Sequence, residues 1–236
     1  MDRMLFPDKG GDMWIRSELK AKGKENFKKN YWKCVIAGAI LAFATTAAQT
    51  SSSKAYGDEV SSQGFILSPG LVFAALGTIS VLVIIAVLID IFVMNPLEVG
   101  SQRFFAQNAK NDGVELSEIL YGFKNGLANI AITIFLRDLF ICLWSILFVI
   151  PGIVKAYSYR MVPFILSDDP TMNSMEVIAK SRQMMKGHKW NAFVLDLSFI
   201  GWDILSIITL GIVGVFYAVP YQYATNAELY HVLKEN

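Results

Sequence analysis

The stretch "FLRDLFICLW", residues 135–144, sets a hard test for any fold. Arg137 and Asp138 stand side by side in one of the most apolar parts of the chain. A water-soluble helix turns such residues outward at no cost. A helix in lipid pays about 2.5–3.5 kcal/mol for a central charge even on the mildest insertion scale. The surrounding solvent therefore has to be identified first.

Composition identifies it. The chain is 54% hydrophobic and 17% charged, with a mean hydropathy of +0.43, whereas soluble domains carry about 25% charged residues. The apolar surplus falls in blocks at 35–48, 71–94, 127–150 and 191–219, and a membrane helix needs about 20 such residues. The block "LVFAALGTISVLVIIAVLIDIFVM" is apolar on every face, which excludes the amphipathic stripe of a soluble bundle helix. The sequence predicts an all-α, polytopic membrane protein.

Charge distribution gives the orientation. Arg3, Lys9, Arg16, Lys20, Lys22, Lys24, Lys28, Lys29 and Lys33 precede the first block. Lys54 is the one basic residue of the Ser-rich loop that follows it. Arg103, Lys110, Lys124, Lys180, Arg182, Lys186 and Lys189 flank later blocks. Basic residues mark the cytoplasmic side, so both termini are expected in the cytoplasm and the 50–66 loop outside. A secretory signal ending at "AFATTAA" is a weaker reading, because its apolar core starts late. Cys34 and Cys142 lie at and within apolar blocks, so no disulfide framework follows.

The chain also repeats itself. Shifted by 58 residues, Glu118 meets Glu176, Asp138 meets Asp196 and Trp144 meets Trp202. Shifted by 158, Glu18, Lys22 and Trp32 meet Glu176, Lys180 and Trp190. The parse is a single membrane domain of three units, at about 14–94, 114–168 and 171–231, with a cytoplasmic linker at 95–113. Each unit reads as a cytoplasmic amphipathic helix followed by a transmembrane hairpin, giving six spans. "VIPG" at 149–152 and "TLG" at 209–211 are the tight outer turns. Asp168 or Asp169 is expected to cap a helix beginning at Pro170, with Met172, Met175, Ile178 and Met185 on one side. Its apolar stripe lies either in the membrane interface or against the inner end of the bundle, or serves as a Met-rich partner groove.

The long strings "MWIRSELKAKGKENFKKNYWK" (13–33), "NPLEVGSQRFF" (95–105), "PGIVKAYSYRMVPFILSDDP" (151–170), "SRQMMKGHKW" (181–190) and "LSFIGWDILSIITLGI" (197–212) resemble a bacterial integral membrane family of unknown function, domain-of-unknown-function family 975, over most of the chain. The resemblance implies a six-helix inner membrane protein and no agreed activity. The chain is more distantly similar to the membrane domain fused to some glycerophosphodiester phosphodiesterases, whose catalytic residues do not occur here.

No phosphate loop, HExxH, GxSxG or CxxC occurs. The expectation is no catalytic residue, no metal and no cofactor. "SDD" at 167–169 reads as a helix cap rather than a cation site. The basic residues face anionic lipid head groups on the cytoplasmic side rather than nucleic acid. Tyr31, Trp32, Tyr157, Tyr159 and Trp190 are the expected interface anchors.

The remaining candidates are the intramembrane polar residues Asp90, Arg137, Asp138, Lys155, Arg160, Asp196 and Asp203. Such groups either glue helices together or line a pathway. Adjacent residues on a helix do not face each other, so Asp138 is expected to pair with Arg160 instead of Arg137. Two functions stand: a non-enzymatic scaffold or accessory subunit with a protein partner or a second copy, and a small-solute or lipid transporter.

Overall fold

The computed structural model describes residues 14–53, 69–111 and 113–235, with the side chains of 43–53, 69–76 and 79 left aside. Most of the expected outer loop, from residue 54 onward, lies outside the described residues. Every regular element among the described residues is helical.

Helix α1 (Arg16–Lys29) leads into α2 (Tyr31–Ser53). Helix α3 (Pro69–Ile89) passes through a π-helical turn (Asp90–Met94) into α4 (Asn95–Lys110) without interruption. A 3-10 turn (Leu116–Leu120) and α5 (Tyr121–Lys124) precede α6 (Leu127–Leu147), α7 (Val149–Ser158) and α8 (Val162–Asp168). Helices α9 (Ser174–Met184), α10 (Lys189–Leu197) and α11 (Ile200–Ile208) follow, then a π-helical turn (Gly214–Ala218) and α12 (Val219–Glu235).

Among the described residues, three helices are long and apolar enough to cross a membrane: Ser80–Lys110, Leu127–Leu147 and Lys189–Ile208. Six spans were expected. The stretch expected as the fourth breaks at Tyr159–Met161 into α7 and α8, and the sixth carries the buried Glu228.

Most of the expected linker at 95–113 is the helix α4 (Asn95–Lys110), one of the most buried among the described residues. Val99, Phe104 and Phe105 are fully buried, as are the polar Ser101 and Asn108. Gly100 carries no side chain because a methyl there would overlap the Ile119 carbonyl oxygen. Buried Asn and Ser read as loop composition in a sequence; here their hydrogen bonds hold helices together. Asn108 Nδ2 donates to the Asn26 carbonyl at 2.9 Å, and Asn30 Nδ2 donates to Asn108 Oδ1 at 2.6 Å.

The apolar sides of the helices expected to be amphipathic turn inward. Leu19 and Phe27 of α1 are buried, and Gly23 lies against Thr225 of α12. The Tyr221 hydroxyl donates to the Lys20 carbonyl at 3.2 Å, while Lys20 Nζ reaches the Ser198 carbonyl at 3.3 Å. The outer side of α1 carries Glu18, Lys22, Lys24, Glu25, Lys28 and Lys29, all exposed. Helix α9 does the same, with Val177, Ile178 and Met185 buried and Lys180, Arg182 and Gln183 exposed. The stripe expected on α9 is corrected: Met175 is exposed, so no continuous Met face forms. The cap is also corrected, since α9 starts at Ser174 and the Asn173 side chain accepts the Met175 amide. Asp169 instead accepts the Thr171 hydroxyl at 2.7 Å and its amide at 3.0 Å, which hold its carboxyl below the ordinary range.

Two apolar hairpins rise from this base. The first pivots on the extended Phe148, one residue before the expected "VIPG" turn, and Val149–Pro151 already belong to α7. Helices α6 and α7 pack closely enough that Gly152 leaves no room for a methyl beside Ser145. The second pivots on Leu210, a non-glycine residue at φ 51°, and on Gly211. Its backbone is satisfied internally, with Gly211 N–H donating to the Ser206 carbonyl at 2.7 Å and Ile212 N–H to the Thr209 carbonyl at 3.1 Å.

Candidate functional site

The ionisable residues of the apolar blocks gather in two clusters at the foot of the hairpins. In the first, Arg137 of α6 forks onto Glu98 of α4, with Nη1–Oε1 at 2.6 Å and Nη2–Oε2 at 2.9 Å. Arg137 Nε also donates to Asp138 Oδ1 at 2.8 Å. Both members of the Arg137–Glu98 pair are largely buried. Two parallel charge-assisted bonds make Glu98 the main partner of Arg137, and the neighbouring Asp138 is secondary. Asp90, at the start of the π-helical turn, stands in the fields of Asp138, Glu98 and Arg137. Its Oδ1 is buried and has no hydrogen-bond partner.

The second cluster corrects the expected Asp138–Arg160 pair. Arg160 forks instead onto Asp196 of α10, with Nη1–Oδ2 at 2.8 Å and Nη2–Oδ1 at 2.7 Å. Its Nη2 also donates to Asn226 Oδ1 of α12 at 2.7 Å. The Tyr157 hydroxyl donates to Asp196 Oδ2 at 2.8 Å. Helices α7, α10 and α12 are thereby joined at one point.

Lys155 lies higher on α7, its Nζ 4.7 Å from the Trp144 ring centre. Asp203 on α11 accepts from Gln222 Nε2 at 3.1 Å. Neither is drawn into the two clusters. Of the expected anchors, Trp32 and Trp190 are 67% and 63% exposed. Tyr159 is buried, Tyr31 packs on Phe27, and Tyr157 is committed to Asp196. Tyr31 and Tyr157 are partly buried.

Sequence reasoning missed Glu98, Asn226 and a lattice of polar contacts around Arg103 and Asp168. In that lattice Arg103 meets Glu118 at 2.6 Å and also binds the Ser167 carbonyl. Asp168 receives Tyr230 and Lys234. The available signal was a carboxylate and a guanidinium within "NPLEVGSQRFF", directly after an all-apolar helix. Among the described residues, no group of three or more His, Cys, Asp or Glu side chains is arranged to hold a metal ion. His188, half-buried beside α10, is drawn below its ordinary pKa by that burial, and His231 is occupied by the Ala106 carbonyl at 2.8 Å. Cys34 is buried and Cys142 exposed, both as free thiols.

No curated protein and no solved structure matches the chain. A family model described as "Protein of unknown function (DUF975)" matches residues 146–236, about 40% of the chain. The strings at 151–170, 181–190 and 197–212 fall inside that match, and those at 13–33 and 95–105 fall outside it. Over its C-terminal part, the chain is similar to a family that carries no assigned activity.

Proposed function

We propose that the chain is a multi-pass cell-membrane protein with both termini cytoplasmic, acting as a non-enzymatic scaffold or accessory subunit. The observation that carries this reading is the pairing of the embedded charges. Arg137 and Arg160 are each spent on a two-pronged bond to another helix. Groups committed to holding helices together are poorly placed to handle a substrate. The exposed charged sides of α1 and α9 offer a surface for a cytoplasmic protein partner or for anionic head groups. The three-unit parse belongs to this reading too, since α9 with its hairpin repeats the plan of the α5 region with its own. Mild solubilisation and affinity capture test it: a defined co-purifying partner, lost when Lys180 and Arg182 are reversed to Glu, is the expected result. Repeated recovery of the protein alone would count against it.

One observation favours the transporter reading. Three carboxylates, Asp90, Glu98 and Asp138, surround the single guanidinium of Arg137. That excess of acid is the kind of feature a proton or cation pathway uses. Flux across vesicles holding the purified protein, abolished by Asp90→Asn, would establish it over the scaffold.

A further inference from the structure

Helical rise converts the contacts between the cytoplasmic helices and the hairpins into depths. Ser181 of α9 donates to the Ser158 carbonyl at 3.0 Å, and Lys20 of α1 holds Ser198 by its carbonyl and hydroxyl at 3.3 and 3.2 Å. The outer sides of α1 and α9 are charged, so the level of Ser158 and Ser198 lies in head groups or water. From Ser158 to the pivot Phe148 is ten residues, about 15 Å at 1.5 Å per residue. From Ser198 to Leu210 is twelve, about 18 Å. The hydrocarbon of a bilayer is about 30 Å thick. Helix α3 spans 21 residues from Asp90 back to Pro69, about 32 Å. Helix α6 is as long, but its first turns pack within the base. There Asn129 donates to the Pro170 carbonyl at 2.8 Å, Thr133 to the Ser174 hydroxyl at 2.7 Å, and Ile130 and Ile134 are buried.

The tips match an end inside lipid. Ile146–Ile150 and Ile207–Ile212 hold large apolar side chains exposed at 63–93%. No charged residue occurs in either stretch. Ser145 and Thr209, the hydroxyl residues there, donate to the carbonyls of Ile141 and Leu205, at 2.8 and 2.9 Å. Backbone in hydrocarbon must be satisfied within the protein, and the Leu210 turn meets that condition through its own carbonyls. Pushing both tips to the far head groups would instead draw the lysines of α1 and α9 into the bilayer centre, at about 2.5–3.5 kcal/mol or more for each charge.

We infer that the hairpins closed by Phe148 and by Leu210–Gly211 enter the bilayer from the cytoplasmic side and end within it. Their partner is the acyl-chain layer of the cytoplasmic leaflet, and among the described helices only α2 and α3 traverse the membrane. The cytoplasmic assignment rests on the disposition proposed above; the depth does not. The clusters around Arg137 and Arg160 then lie at the inner head-group level, which removes the cost posed by "FLRDLFICLW".

The test places single cysteines at Leu210 and Ile150, in a chain lacking Cys34 and Cys142, and labels each with a bimane fluorophore. The labelled proteins are reconstituted in phosphatidylcholine–phosphatidylglycerol vesicles brominated either near the chain ends or near the head groups. Chain-end bromines should quench both sites more strongly, and an impermeant thiol reagent added to intact cells should label neither. Stronger quenching by head-group-proximal bromines, or labelling from outside, would overturn the inference. A cysteine at Ser52 reports orientation separately, so failure of that assignment is distinguishable from failure of the depth. Loss of the expected binding partner is independent of both.

Discussion

Arg160 and Asp196 meet in a two-pronged ion pair, at 2.8 and 2.7 Å, that fastens the hairpin of α6 and α7 to α10. The repeat places Asp196 opposite Asp138 in sequence, yet the two aspartates have different partners. Asp138 is held by its neighbour Arg137, whose principal partner is Glu98 on α4. Two aspartates that align at a shift of 58 residues thus meet different partners.

Arg160→Leu and Asp196→Leu should each lower the melting temperature of the detergent-solubilised protein. Stranding one charge of a well-buried pair costs about 3–5 kcal/mol. The Asp196 side chain is 41% exposed, so a loss on the order of 1–3 kcal/mol is expected after discounting for screening. The double change should recover part of that loss. Purely additive losses would exclude the pair, whereas Asp138→Leu combined with Arg160→Leu should be additive.

Arg137→Lys should fail to restore what Arg137→Leu loses. A lysine ammonium is a single point of charge and cannot span both oxygens of Glu98. Thermal unfolding of the two variants checks this. Full stability in the lysine variant would show that charge alone, without the fork, is what the site needs.

The apolar helices and the Leu210–Gly211 turn were legible in the sequence, because hydropathy and glycine act locally. The first hairpin instead turns at Phe148, and Pro151 and Gly152 lie inside α7. The role of α4 was not legible. Asn95, Ser101, Gln102 and Asn108 carry the composition of a solvated linker, and only the helices packed around them turn that composition into an interior. Pairing was illegible for a related reason. Helical spacing fixed the approximate level of Arg160, but Arg160 stands in the Tyr159–Met161 break after α7, and the course of that turn decides whether it meets Asp138 or Asp196. Met175 is exposed because the side of α9 that packs inward carries Val177, Ile178 and Ser181.

Gly100→Ala should be among the most damaging small substitutions in the chain. Its methyl would collide with the backbone carbonyl of Ile119, which cannot swing aside as a side chain can. Gly201→Ala places a methyl where nothing lies within 4 Å, and an alanine inside a helix gains about 0.5–1 kcal/mol over glycine. Yield and melting temperature should fall for the first and hold or rise for the second. Equal behaviour of the two would contradict the close packing of α4 on the Leu116–Leu120 turn.

The most direct test of the account is two-sided labelling of single cysteines at Ser52, the last turn of α2, and at Lys180, on the exposed side of α9. The background lacks Cys34 and Cys142. An impermeant thiol reagent added to intact cells should label the Ser52 site and spare the Lys180 site, and opening the cells should expose the latter. Labelling of Lys180→Cys from outside would contradict the placement of the charged helical base in the cytoplasm, and with it the membrane disposition of the whole chain.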